Sequence, residues 1–211
     1  MSNIVIRRLP IFVFDIGGVV IRWPRNDPIF RYVAKRYHVP ISKMKKAMQD
    51  DLPLVESGKM DTGKYMRVSL ERVGRKLKKN DTAEELLSHP FENLVELNEG
   101  TVRLINSLRS KGHRVFALTN TSPPHVEVMK RLGWTSFFDG FFASCELNSI
   151  KPEKRIYLLM LKAIQAKPGD IVFIDDREEN IRGAEDAGIS CTILFRGVET
   201  VKSEISNLTR D

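Results

Sequence analysis

Cysteine is scarce: Cys145 and Cys191 are the only two in 211 residues. Neither sits in a CxxC or Cys/His cluster, which excludes a disulfide scaffold and argues against a structural zinc site. Both are expected to be reduced, largely buried thiols. The histidines, His38, His89, His113 and His125, form no HxH or HxxxH pair and read as structural. His125 is the one to watch, because it follows the Thr119–Pro124 loop. No apolar run reaches the ~18 residues that a membrane span needs. The N-terminal apolar stretch is short, ends in an acid and lacks a signal-peptide cleavage site. It reads as a core strand, and a cytoplasmic location is the default expectation. Internal repeats, low-complexity tracts, zinc fingers and aromatic-interleaved RNA motifs are all missing. The net charge of +7 and the pI near 9.5 therefore read as a solvated basic surface, compatible with an anionic partner but not a nucleic-acid site. The densest basic clusters, KMKK (43–46) and GRKLKKN (74–80), are expected on helices.

What is present is a regular alternation. A hydrophobic content of 42% supplies one α/β core with room for a small inserted subdomain. Pro10–Ile16 is almost continuously apolar, as a strand covered on both faces should be. Gly17-Gly18 break it, and Pro24 and Pro28 punctuate a loop. From Ile29 to Leu97 the chain turns rich in Lys, Arg and Glu. Its apolar residues recur at helical spacing (Phe30, Val33, Ala34, Tyr37), and Asp81–Glu85 reads as a helix start. No strand is expected there. After it come a helix (Gly100–Lys111), a strand (Arg114–Thr119), a helix (Pro123–Leu132) and a short strand (Gly140–Ser144). A helix (Pro152–Ala166), a strand (Ile171–Asp175), a helix (Glu178–Ala187), a strand (Cys191–Phe195) and a helix (Glu199–Asn207) follow. This is the pattern of a Rossmann-like parallel sheet with helices on both faces. The core is expected over 1–23 and 98–211, and a small all-helical cap over 24–97.

Ligands of open parallel sheets bind beyond the carboxyl ends of the strands. Here those ends and their loops carry Asp15, Thr119-Asn120, Lys151 and Asp175-Asp176. Carboxylates, a hydroxyl and an ammonium form the set that can hold a phosphate and a divalent cation together. Each has a blander explanation when taken singly: a helix cap for Asp176, turn chemistry for Thr119-Asn120, a solvated lysine before a helix-starting proline for Lys151. A helix cap at Asp176 does not explain why Asp15 also ends an apolar strand.

The segments FDIGGVV (14–20), LTNTS (118–122), IKPEKRIY (150–157) and FIDDREENIRGAEDAGI (173–189) occur in the order found in the haloacid dehalogenase-like superfamily, which the chain resembles over most of its core. The region 24–97 takes the place of that superfamily's cap. Among subgroups, the chain resembles the glucose-1-phosphate phosphatase-like proteins and the N-terminal phosphatase domain of soluble epoxide hydrolases. The resemblance implies a magnesium-dependent phosphohydrolase acting on a small phosphorylated metabolite, with sugar phosphates among the candidates. Asp15 would be the nucleophile, forming an aspartyl-phosphate that water then cleaves. Lys151 would offset the phosphoryl charge, and Thr119, the Asn120 amide and Lys151 would bind its oxygens. Mg²⁺ would be held by Asp15, the Gly17 main-chain oxygen and Asp176, with Asp175 one step further out. Asn180 would brace the last loop, and Arg22 and Trp23 would help close the site.

One position departs from the family. Most such phosphatases carry a second aspartate two residues after the nucleophile, as general acid and base. Here it is Gly17. General acid–base catalysis is worth about 10²–10⁴-fold, so a cap residue or solvent must substitute, or activity is weak. Two alternatives stay open. One is a haloacid dehalogenase, which uses the same nucleophile without metal and against which Asp175-Asp176 argues. The other is a weakly active or non-catalytic binding protein. The oligomeric state is not legible in the sequence.

Overall fold

A computed structural model describes residues 9–24 and 27–208. The opening residues 1–8, read as leading into the core, lie outside that range. The core is a five-stranded sheet built from β1 (Ile11–Phe14), β4 (Val115–Thr119), β5 (Gly140–Ala143), β6 (Ile171–Asp175) and β7 (Cys191–Leu194). All neighbouring pairs are parallel, in the order β5-β4-β1-β6-β7. β1 is therefore central, which is why all four of its residues are buried and apolar.

Alternate residues of each strand feed opposite faces. Phe12, Phe14, Val115, Ala117, Val172 and Ile174 pack under α6 (Glu99–Ser110), α7 (Pro123–Arg131) and α11 (Val198–Leu208). Ile11, Val13, Phe116, Leu118, Ile171 and Phe173 pack under α9 (Lys154–Ile164) and α10 (Glu178–Asp186). The expected Rossmann-like sheet with helices on both faces is thus present.

Between β1 and α6 the chain makes five helices: α1 (Pro28–Arg36), α2 (Ile41–Gln49), α3 (Leu52–Glu56), α4 (Thr62–Glu71) and α5 (Ala83–Leu94). They share an apolar centre of their own, with Val33, Met44, Met48, Val55, Tyr65, Met66, Leu70 and Leu87 among its members. α5 starts where the sequence signals it, Thr82 accepting a hydrogen bond from the Glu85 amide. Asp81, beside it, is buried and instead binds Arg36 (2.5 Å) and the Tyr37 hydroxyl (2.8 Å), tying α1 to the start of α5.

Four expectations need correction. The stretch to Leu97 is not strand-free: β2 (Ile21–Arg22) and β3 (Glu96–Leu97) pair antiparallel where the helical insertion leaves and rejoins the core. Two residues are too few to show a period of two. The GRKLKKN cluster is not helical. It forms turns and extended chain after α4, opening at Gly74 in the left-handed region (φ 68°). Pro152 does not start a helix; α9 begins at Lys154. Cys145 and Cys191 are free thiols but half-buried rather than interior.

Candidate active site

The register of the sheet assembles the site. Phe14 of β1 lies beside Ile174 of β6, and the Asp15 amide donates to the Ile174 carbonyl (2.8 Å). This sets Asp15, just past β1, next to Asp175 at the end of β6. β4 runs along the other side of β1 and ends in Thr119. Lys151, in the loop between α8 (Ser144–Leu147) and α9, reaches into the gap. Its Nζ donates to Asp15 Oδ1 and to Asp175 Oδ2, each at 2.7 Å, and only 3% of the residue is exposed.

The lysine is held by its own backbone. The Asn120 side chain donates to the Lys151 carbonyl and accepts from the Lys151 amide, both at 2.8 Å. That side chain is therefore committed to the Lys151 backbone. Asp175 is equally committed. Besides Lys151, it accepts from the Arg177 amide (2.9 Å) and from Asn180 Nδ2 on both oxygens (2.9 and 3.0 Å). Asn180 is fixed in turn, its carbonyl accepting from the Tyr157 hydroxyl at 2.7 Å.

Asp15, Asp175 and Asp176 each present a carboxylate oxygen within 4.8 Å of the others. Three hard oxygen donors without a sulfur or imidazole suit a magnesium ion rather than zinc or copper. The loop opposite them is shaped for a close approach. Gly18 has φ 78°, and a β-carbon there would lie 2.1 Å from Asp176 Oδ2, so only glycine fits. The donor set and this cradle fit a Mg²⁺.

The electrostatics follow from burial. Desolvation pushes the Asp15 carboxyl up to about 7 and Asp175 adds to this, against the opposing pull of Lys151. Burial alone would pull the Lys151 ammonium down. The two carboxylates outweigh it and hold it above its ordinary value. Asp176 is raised by burial and by Asp175. An ammonium between two buried carboxylates leaves an excess of negative charge that a cation would relieve.

The site opens into a cavity of about 470 Å³, walled on the far side by the helical insertion. Three features of its walls stand out, of which the sequence pointed to Trp23 and His125 but not to Glu56. Trp23 is one: its indole Nε1 lies 3.1 Å from where a β-carbon on Gly17 would be, so a ring fills the space that an acid two residues after Asp15 would use. His125 and Phe91 are another, stacked at 4.3 Å with Trp23 edge-on to Phe91. Burial keeps His125 neutral at ordinary pH, its value drawn down to about 4 against a backbone hydrogen bond at Leu87. The third is Glu56, at the end of α3. Burial pushes its carboxyl up to about 7; Arg177 and Lys151 lower it and Asp15 raises it. Arg22, read with Trp23 as closing the site, instead bonds Asn98 (3.4 Å) at the root of the insertion.

A parallel α/β sheet with an acid after its first strand, a lysine bridging two carboxylates and a helical insertion in this position defines a class, and the sequence agrees. The pattern of the haloacid dehalogenase-like hydrolases matches residues 9–188, and the chain belongs to that family. Among its relatives, bifunctional epoxide hydrolase 2 of Rattus norvegicus is 25% identical over 95% of this chain but only 39% of its own length. The chain thus spans about two-fifths of that protein. D-ribitol-5-phosphate phosphatase of Bacteroides thetaiotaomicron is 25% identical over 83% of this chain and 87% of its own. Among solved structures, a HAD family enzyme from the same bacterium, in complex with magnesium and inorganic phosphate, superposes with a TM-score of 0.72. It is 20% identical, over 88% of this chain and 93% of that one. No helix among the described residues is long and apolar enough to cross a membrane.

Proposed function

We propose that the protein is a magnesium-dependent phosphatase of small phosphorylated metabolites, working through an aspartyl-phosphate on Asp15. The observation that carries the reading is the Lys151 ammonium, buried and bonded to both Asp15 and Asp175 with Asp176 beside them. A dehalogenase needs no such trio of acids. The relative named as a ribitol-phosphate phosphatase and the fold neighbour holding magnesium and phosphate support the same chemistry.

In this reading Asp15 and Asp176 hold the Mg²⁺ together with the Gly17 carbonyl, while Asp175 serves through its bonds to Lys151 and Asn180. The ion, when bound, neutralises charge on the phosphoryl oxygens so that a carboxylate can approach them. Asp15 supplies the attacking oxygen. Lys151 keeps the carboxylate in one rotamer and offsets charge on the transferring group. Thr119 and the Asn120 amide, at the end of β4, bind phosphoryl oxygens. Residues 24–97 act as a cap that closes over the leaving group and chooses it. A sugar phosphate is the first class to try, following the ribitol-phosphate relative.

The test is a screen of phosphorylated sugars, nucleotides and acyl phosphates with Mg²⁺ and with EDTA, on wild type and Asp15→Asn. Turnover that requires both the metal and Asp15 is expected. Undiminished activity of Asp15→Asn, or dehalogenation that survives chelation, would overturn the assignment.

A further inference from the structure

Gly17 leaves the proposed reaction without the residue that would protonate the departing oxygen. The cavity walls show what could replace it. Trp23 fills the vacated space, but an indole N–H donates a hydrogen bond and does not give up its proton. His125 is a neutral imidazole near pH 7, and its single N–H is too weak an acid to be given up. Asp27 is engaged with Lys45 at 2.6 Å, the Tyr65 hydroxyl with the Met48 carbonyl at 2.9 Å, and Arg177 with Glu179. Asp176 faces the cation position. Glu56 is left. Its carboxyl enters no hydrogen bond or ion pair among the described residues, and it lines the same cavity as Asp15.

Its backbone is pinned to the core. Ser144 Oγ donates to the Glu56 carbonyl (2.6 Å) and accepts from the Thr121 amide (2.9 Å). Two residues on, Gly58 (φ 68°) lies so close that a β-carbon would be 2.3 Å from the Cys145 carbonyl. The end of α3 is thus seated on α8, the short helix that follows β5, with its acid side chain lining the cleft.

We propose that Glu56, supplied by the helical insertion, is the proton donor and acceptor that replaces the missing acid at position 17. The inference rests on the phosphatase reading. In the first half-reaction an Asp15 oxygen bonds to phosphorus and the bond from phosphorus to the ester oxygen breaks. That oxygen keeps the electron pair and takes the Glu56 proton, leaving as an alcohol. In the second, the Glu56 carboxylate takes a proton from water as the water oxygen attacks phosphorus. Asp15 and inorganic phosphate are released and Glu56 is protonated again. The sum is ester plus water giving alcohol plus phosphate. Asp15, Lys151, Arg177 and Tyr65 are the titratable groups that face Glu56. Its value near 7 suits both half-reactions at neutral pH.

The experiment compares wild type, Glu56→Gln and Glu56→Asp on an alkyl phosphate and on p-nitrophenyl phosphate, whose leaving group needs no proton. With Glu56→Gln, kcat/KM on the alkyl ester should fall about 10²–10⁴-fold, while kcat/KM on p-nitrophenyl phosphate changes little. Its turnover should then show a burst, because the phosphoryl-enzyme accumulates when water is no longer activated. The alkaline limb of the alkyl-ester profile, present in wild type, should vanish in Glu56→Gln and return in part in Glu56→Asp. Equal loss on both esters in both variants would indicate a structural role and overturn the proposal, as would an unchanged alkyl-ester rate. No turnover by wild type on either ester would instead refute the phosphatase reading and take this inference with it. An active wild type whose Glu56→Gln variant keeps the full alkyl-ester rate defeats this inference alone.

Discussion

Replacing Lys151 by methionine should destabilise the protein more than any surface change. The side chain is almost fully enclosed and its ammonium contacts two buried carboxylates at 2.7 Å. Methionine conserves much of the volume and removes only the charge and the donors. The carboxylates are then left facing each other without a counter-charge. Breaking a buried ion pair from one side costs about 3–5 kcal/mol. In a chain of 211 residues, about 2–4 °C of Tm is lost per kcal/mol, so a drop of roughly 6–20 °C is expected. The cost should be greater at pH 8 than at pH 5, because without the lysine Asp15 takes up a proton more readily and protonation removes the repulsion. Saturating Mg²⁺ should recover part of the loss. The double variant Asp15→Asn/Lys151→Met should be more stable than Lys151→Met alone. Denaturant melts at both pH values, with and without Mg²⁺, measure all of this. A cost under about 1 kcal/mol in the metal-free protein, or a double variant no more stable than the single, would refute the reasoning.

Other consequences are checked more simply. Gly18→Ala should lose about 1 kcal/mol to its left-handed backbone and displace Asp176, raising the Mg²⁺ concentration for half-activity about tenfold or more; an unchanged metal titration would count against the cradle. His125 is depressed from 6.5 to about 4, so the unfolded chain takes the proton first. Stability should be complete above pH 6.5 and decline by up to about 3 kcal/mol toward pH 4. His125→Phe should flatten that decline, as urea melts across the range would reveal; an unaltered slope would assign it to other groups. Tyr37→Phe should cost about 0.5–1.5 kcal/mol by removing the donor to Asp81, and a Tm equal to wild type would mean the bond contributes nothing. Asp81 is itself held below the usual carboxylate range, chiefly by Arg36. Its contribution is present above pH 3.8 and fades below that.

How much of this was legible beforehand depended on where each residue sits relative to a regular element. The strands announce themselves, because a strand buried on both faces must be a continuous apolar run, and the residue that ends the run is then conspicuous. Asp15, Thr119 and Asp175 were found that way, and the parallel sheet brings them together by register alone. Lys151 lies on no strand; only its place in an ordered set of motifs singled it out. Glu56 gave no signal, being one of 27 acidic residues on a five-residue helix whose packing against the core is a matter of tertiary contact. The Trp23 ring over Gly17 was equally invisible, since it depends on how the chain turns back between Ile16 and Ile21. The β2–β3 ribbon, two residues a side, falls below any periodicity.

The Ser144 hydroxyl lies between the Thr121 amide and the Glu56 carbonyl, and this gives the molecule a built-in interlock. Whatever lifts the insertion to admit or expel a guest must also break that link, withdrawing the carboxyl from the nucleophile while the door stands ajar.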